Sequence, residues 1–102
     1  MATTLKAITS CLGYQQITSL SSSSSLTVPV NDPSTGLTTK ANFALITPEA
    51  QAVRWRDDGV APTSTVGMPL AAGVTLQYDG DLSKIRFIEQ TGGAKLNISY
   101  YV

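Results

Sequence analysis

The stretch Leu96-Asn97-Ile98-Ser99-Tyr100-Tyr101 sets the fold class. Successive side chains of an extended chain point to opposite faces, so Leu96, Ile98 and Tyr100 share one side and Asn97, Ser99 and Tyr101 the other. This is the period of a half-buried strand, not of a helix. The same period recurs upstream. Val74, Leu76 and Tyr78 alternate with Thr75 and Gln77, Val53 and Trp55 with Arg54 and Arg56, and Ile85 and Phe87 with Lys84 and Arg86. Turn chemistry separates these segments: Asp57-Asp58-Gly59, Asp79-Gly80-Asp81, and Gly92-Gly93, which reads as a hairpin or short loop. Residues 43–47 read as a central strand closed by Pro48, and residues 27–30 as a short or edge strand limited by Pro29. Residues 31–36 form a turn-rich loop, and Pro62 and Pro69 bracket an irregular segment over 60–70. Short one-faced strands divided by turns predict an all-β fold, a small antiparallel β-sandwich (jelly-roll-like) or a barrel.

The N-terminal third has a different composition. Residues 21–25 are five consecutive serines. They read either as a solvated loop before a strand or as a flexible linker that frees the preceding residues as an extended arm. Serines bury little apolar area, so this run is expected to add nothing to the core. The expected organisation is an N-terminal arm and linker over 1–25 and a β-sandwich domain over 26–102, with the folded body clearest from residue 41 onward.

Composition bounds the chemistry. The chain has 102 residues, seven Lys+Arg against seven Asp+Glu, no histidine and one cysteine. One domain of this size buries one core and little more. A formal charge of zero leaves no general electrostatic basis for nucleic-acid binding, because each neutralised phosphate needs a cation. The lack of histidine removes the commonest general base and metal ligand. A lone Cys11 forms no internal disulfide, and with no histidine to activate it, it is a poor nucleophile. The N-terminal residues lack the apolar run of a signal peptide, and no run is long enough to span a bilayer. The expectation is a protein made in a cytoplasm, with no cofactor, no nucleic-acid partner and no membrane contact.

Four aspartates, Asp57, Asp58, Asp79 and Asp81, fall in turns after strands. Their bland role is local: Asp accepts nearby backbone N–H bonds and Gly supplies positive φ. If both turns share one end of the sheets, the same carboxylates are weak candidates for a calcium site, since Ca²⁺ takes several hard oxygens, or for a glycosidase-like pair. Arg54, Arg56 and Arg86, with Lys84, lie on polar strand faces and would make one basic patch if their strands pair. That patch is either a solvated, ion-paired face or a contact for an acidic protein partner, since Arg and Trp are frequent at interface hot spots. Trp55 reads as core. Of Tyr100 and Tyr101, alternation sends one into the core and leaves the other, Tyr101, for solvent or a partner. The sequence Gly92-Gly93-Ala94-Lys95 lacks the spacing of a phosphate-binding loop.

Residues 44–102 also carry a longer pattern: Gln51-Ala52-Val53-Arg54-Trp55-Arg56-Asp57-Asp58-Gly59, then Pro62-Thr63, Val66-Gly67-Met68, Leu70-Ala71-Ala72-Gly73, Tyr78-Asp79-Gly80-Asp81-Leu82, Arg86-Phe87-Ile88-Glu89 and Ala94-Lys95-Leu96-Asn97-Ile98-Ser99-Tyr100-Tyr101. This pattern resembles the small structural proteins encoded in virion gene clusters of tailed bacteriophages. The resemblance implies a non-enzymatic virion component assembled in the host cytoplasm. The first expectation is a capsid decoration (cement) subunit or head-fibre base that binds the major capsid protein or other virion proteins. The alternative is a tail or neck accessory, receptor-binding or carbohydrate-binding module using Tyr101 or Trp55 with the turn aspartates. It further implies a homo-oligomer, a trimer being slightly favoured, and no catalytic residues.

Overall fold

A computed structural model describes residues 10–33 and 35–102. Eight strands form two antiparallel four-stranded sheets. The front sheet has the order β1-β8-β3-β6, built from β1 (Cys11–Ile17), β8 (Lys95–Tyr101), β3 (Phe43–Glu49) and β6 (Leu76–Tyr78). The back sheet has the order β2-β7-β4-β5, from β2 (Ser24–Ser25), β7 (Arg86–Glu89), β4 (Val53–Arg56) and β5 (Met68–Leu70). The pairing is nested: β1 with β8, β2 with β7, β3 with β6 and β4 with β5. Two lateral pairs, β3 with β8 and β4 with β7, join these hairpin-like arms into sheets.

Alternation decides what each strand buries. On β8, Leu96, Ile98 and Tyr100 point inward and are at most 1% exposed, while Lys95, Asn97, Ser99 and Tyr101 face out. Ala44, Ile46 and Pro48 of β3 meet them from the neighbouring strand, and Val53 and Phe87 close the core from the back sheet. Leu82, Ile85 and Ala94 enter it from the loops. Tyr100 fills the core and Tyr101 is half-buried on the outer face, as the alternation requires.

The structure differs from the sequence-based expectation in the N-terminal third. Residues 11–25 are not a free arm: β1 runs along β8 from Tyr101 to Leu96, and Ser24–Ser25 pair with Phe87 and Arg86. The serine run joins two buried anchors, Leu20 and Leu26, so the chain crosses from one sheet to the other with apolar contacts on either side of the serines. Residues 1–9 of the expected arm lie outside the described residues. Residues 27–30 are not a strand. Pro29 has no N–H to donate, and the Thr27 N–H goes instead to the Gln15 side chain at 3.1 Å.

Other boundaries moved for local reasons. Pro48 lies inside β3, and its carbonyl accepts the Gly73 N–H at 2.8 Å on the β6 side. The N–H that proline lacks would point the same way, past Ile46, where β6 has ended, so no ladder bond is lost. Met68–Leu70 is a strand within the segment read as irregular; Pro69 is tolerated there because β5 lies at the sheet edge. Only Leu76–Tyr78 of the expected strand over 74–78 is regular. Gly92-Gly93 is not a hairpin turn, since β7 and β8 lie in different sheets and the loop crosses between them.

Candidate functional site

The outer face of the front sheet is ordered in rows, fixed by the register of three long strands. Cys11 of β1, Tyr101 of β8 and Phe43 of β3 form the first row, with the Phe43 and Tyr101 rings 6.0 Å apart and tilted by 51°. Tyr14, Ser99, Leu45 and Gln77 form the second. Tyr14 is 65% exposed, and it lies diagonal to Tyr101, within reach of a long side chain. Gln16, Asn97 and Thr47 form the third row, and Lys95 opposite Glu49 the fourth.

Hydrogen bonds tie these rows together. Tyr14 Oη and Gln16 Nε2 (2.9 Å) both donate to Asn97 Oδ1, and Asn97 Nδ2 donates to Glu49 Oε1 at 3.1 Å. Thr47 and Thr75 share a hydroxyl bond of 2.8 Å, and Ser99 Oγ donates to Tyr101 Oη at 3.1 Å. Tyr14 and Tyr101 therefore hold their rings in fixed poses on the surface, which lowers the ordering cost of a contact made there. The arrangement is an aromatic and aliphatic half (Tyr14, Phe43, Leu45, Tyr101) beside a hydrogen-bonding half. It suits recognition of another surface.

The expected basic patch forms in part. β4 and β7 do pair, and Arg56 stands directly opposite Arg86, with Arg54 opposite Ile88 on the same outer face of the back sheet. Arg54 is spent internally: its Nη1 donates to the Gly67 carbonyl at 2.9 Å and its Nε to the Ser64 carbonyl at 3.2 Å. Arg56 forms a two-pronged ion pair with Asp58, which pulls the Asp58 carboxyl down to about 2. This is the one ion pair among the described residues, so neither Arg54 nor Arg86 has a carboxylate partner on that face. Tyr101 lies on the opposite outer face, so the candidate contact residues divide between two surfaces.

Asp57, Asp58 and Asp81 are committed to local work. Asp57 Oδ2 accepts the Tyr78 hydroxyl at 2.7 Å, Asp58 holds Arg56, and Asp81 Oδ1 caps the Ser83 N–H at 2.9 Å and takes the Ser83 hydroxyl. The Ser83 bonds hold the Asp81 carboxyl below its ordinary value. Among the described residues no group of three Cys, Asp or Glu side chains is placed to hold a metal ion, so the weak calcium reading of Asp57, Asp58, Asp79 and Asp81 loses its geometry. Trp55 is half-buried rather than fully enclosed, packed on the core with its ring edge-on to Tyr78 at 6.0 Å. A shallow open depression of about 270 Å³ lies beside the Asp81 turn, lined by Lys40, Asn42 and Asp81 with Ala41, Gly80 and Leu82.

Tyr14, Gln16 and Phe43 are the surface residues that the sequence reading missed. Phe43 had a signal, since it opens the expected strand over 43–47 on the side opposite Ala44. Tyr14 and Gln16 had little, because a bulge between Cys11 and Gly13 breaks the period of β1. Comparison with known proteins finds no match to this chain among family models, curated proteins or solved structures.

Proposed function

We propose that this protein is a non-enzymatic structural component of a bacteriophage virion, a decoration subunit that docks on the capsid shell through the outer face of its front sheet. The observation that carries the reading is the nested pairing of strands one with eight, two with seven, three with six and four with five. This winding of an eight-stranded double sheet supports a jelly-roll reading, an arrangement that recurs in viral capsid and lectin domains. Fold alone assigns no function, so the reading also rests on the site residues. Asp57, Asp58 and Asp81 are engaged in internal bonds, while Tyr14, Phe43, Leu45 and Tyr101 offer pre-positioned contact area beside the polar groups of Gln16, Asn97 and Glu49. Many copies on one shell turn modest single contacts into tight attachment.

The alternative, a tail or neck module that binds a carbohydrate, keeps Tyr101 but loses Asp57, Asp58 and Asp81 as free hydrogen-bonding groups. The two readings part on a direct test. The chain is mixed with heads assembled from the major capsid protein encoded in its own genome, and co-sedimentation is measured. Saturable binding that weakens at least tenfold in Tyr101→Ala, and little in Arg86→Ala, supports the shell-docking reading. No binding to heads, or binding unchanged in Tyr101→Ala, overturns it. Retention on a glycan array with loss in the same variant favours the alternative.

A further inference from the structure

The two sheets have four edges, and three of them are blunted. β2 has two residues, β6 has three, and β5 has three with Pro69 at its centre. Short edge strands and edge prolines are the usual protection against pairing with another chain. β1 is different. It has seven residues, Cys-Leu-Gly-Tyr-Gln-Gln-Ile, with no proline and no charged side chain. Its ladder to β8 is extended one step further by reciprocal bonds between Ser10 and Val102. Among the described residues no backbone group pairs with the outward side of β1. The neighbouring segment reaches β1 from beneath, through Gln15 and its bonds to Thr27, rather than through a ladder.

We propose that β1 pairs with β1 of a second copy of this chain, antiparallel across a two-fold axis, joining two front sheets into one of eight strands. A two-fold contact sets a surface against itself, so a surface that tolerates its own charge pattern is required. β1 meets this requirement because it is neutral throughout. The outer face of the back sheet does not, because Arg56 and Arg86 would confront their own copies. The bulge between Cys11 and Gly13 bends only the start of the strand and leaves Gly13 to Ile17 in regular register. The midpoint of the pairing therefore falls near Tyr14 and Gln15. That position covers the exposed Tyr14 ring with its symmetry mate, an aromatic cross-strand contact of the kind that stabilises sheets. The result is a doubled outer face with two copies of the Tyr14, Phe43 and Tyr101 cluster side by side. The proposal stands whether or not that face docks on a capsid.

The test uses the full-length chain and its single cysteine. Light scattering should give a mass twice the 10.7 kDa of the chain. A spin label on Cys11, which is exposed, should report a pair distance of roughly 20–30 Å, because antiparallel pairing centred on residues 14 to 15 separates the two cysteines by six to eight residues at about 3.4 Å each. Tyr14→Lys should give a monomer with an unchanged circular dichroism spectrum, while Gln77→Lys on the opposite edge strand should remain a dimer. A monomeric or trimeric wild-type chain overturns the proposal. So does a dimer whose label distance lies outside that range, or one disrupted equally by both substitutions. If Tyr14→Lys fails to fold, the wild-type mass and label distance decide the question alone.

Discussion

The Tyr78 hydroxyl donates to the Asp57 carboxylate at 2.7 Å, and this bond ties the end of β6 in the front sheet to the turn that leaves β4 in the back sheet. It brings the two aspartate turns of the sequence to one end of the sandwich, as the calcium reading required, but uses Asp57 as a strut. A hydrogen bond to a charged group contributes about 1.5–3 kcal/mol. Tyr78→Phe is expected to lower unfolding free energy by about that amount. Asp57→Asn, which keeps an acceptor but not the charge, should cost less. Urea denaturation of the two variants checks the order, and equal losses would show that the charge is irrelevant.

The same bond sets an alkaline limit. Burial, then the Asp57 bond and charge, hold the Tyr78 phenol well above its ordinary range, and burial pushes Tyr100 up to about 12. Both folded values exceed the unfolded value of about 10. The unfolded chain therefore loses these protons first, so the stabilisation is complete below about pH 10 and fades as pH climbs toward the folded values. Urea midpoints should be flat with respect to these two groups from pH 7 to 9.5 and fall from pH 10 to 12. Tyr78→Phe and Tyr100→Phe should each flatten that fall, measured relative to their own neutral-pH midpoint.

Arg54, read from the sequence as part of either a solvated face or a partner contact, clamps its own chain. Its fork reaches two carbonyls, of Ser64 and Gly67, and so holds the loop between β4 and β5 against the back sheet. Lysine has the charge but not the planar fork. Arg54→Lys should leave global stability within about 1–2 kcal/mol yet speed amide exchange across residues 60–67. Exchange unchanged in that loop would show that the clamp is dispensable.

Trp55 and Phe87 are cross-strand partners with unequal burial: Phe87 is 0% exposed, and Trp55 is half-buried. Removing a fully buried aromatic costs about 3–5 kcal/mol, against about 5–15 kcal/mol for a whole domain. Phe87→Ala should leave the chain largely unfolded at 37 °C. Trp55→Ala should cost distinctly less, although tryptophan is the larger side chain, and thermal melts of both variants check the ranking.

How much could be read in advance depended on how far local pattern and tertiary role agreed. Four strands were visible in outline, over residues 43–47, 53–56, 84–87 and 96–101, because one side of each packs on the core and the other does not, which writes a two-residue period into the sequence. β1 was hidden by its bulge, which puts the buried Leu12 and the inward Gln15 out of step. Gln15 sits inward because it receives the Tyr100 hydroxyl and the Thr27 N–H, partners more than ten residues away that no local pattern announces. β2 was hidden because its two serines pair through backbone alone. The contact surface was legible only where alternation exposed an aromatic, as at Tyr101. The Asn97 hub was not, since its bonds to Tyr14, Gln16 and Glu49 require three strands to be in register.

Gly80 offers the sharpest test of the strut between the sheets. A Cβ at Gly80 would clash with the Tyr78 hydroxyl oxygen and lie 2.6 Å from the ring carbon that bears it. Those atoms cannot retreat freely, because the ring is packed in the core and its hydroxyl is bound to Asp57. Its φ is not in the left-handed region, so the demand at this glycine is for space rather than for backbone freedom. Overpacking of this kind costs about 1–3 kcal/mol, and displacement of the hydroxyl adds loss of the Asp57 bond. Gly80→Ala should therefore destabilise the chain more than Tyr78→Phe does. The double variant Gly80→Ala with Tyr78→Phe should be less destabilised than the two single effects added together, because removing the hydroxyl relieves the closest contact. Additive losses in a urea double-mutant cycle would show that Gly80 is required for some reason other than Tyr78.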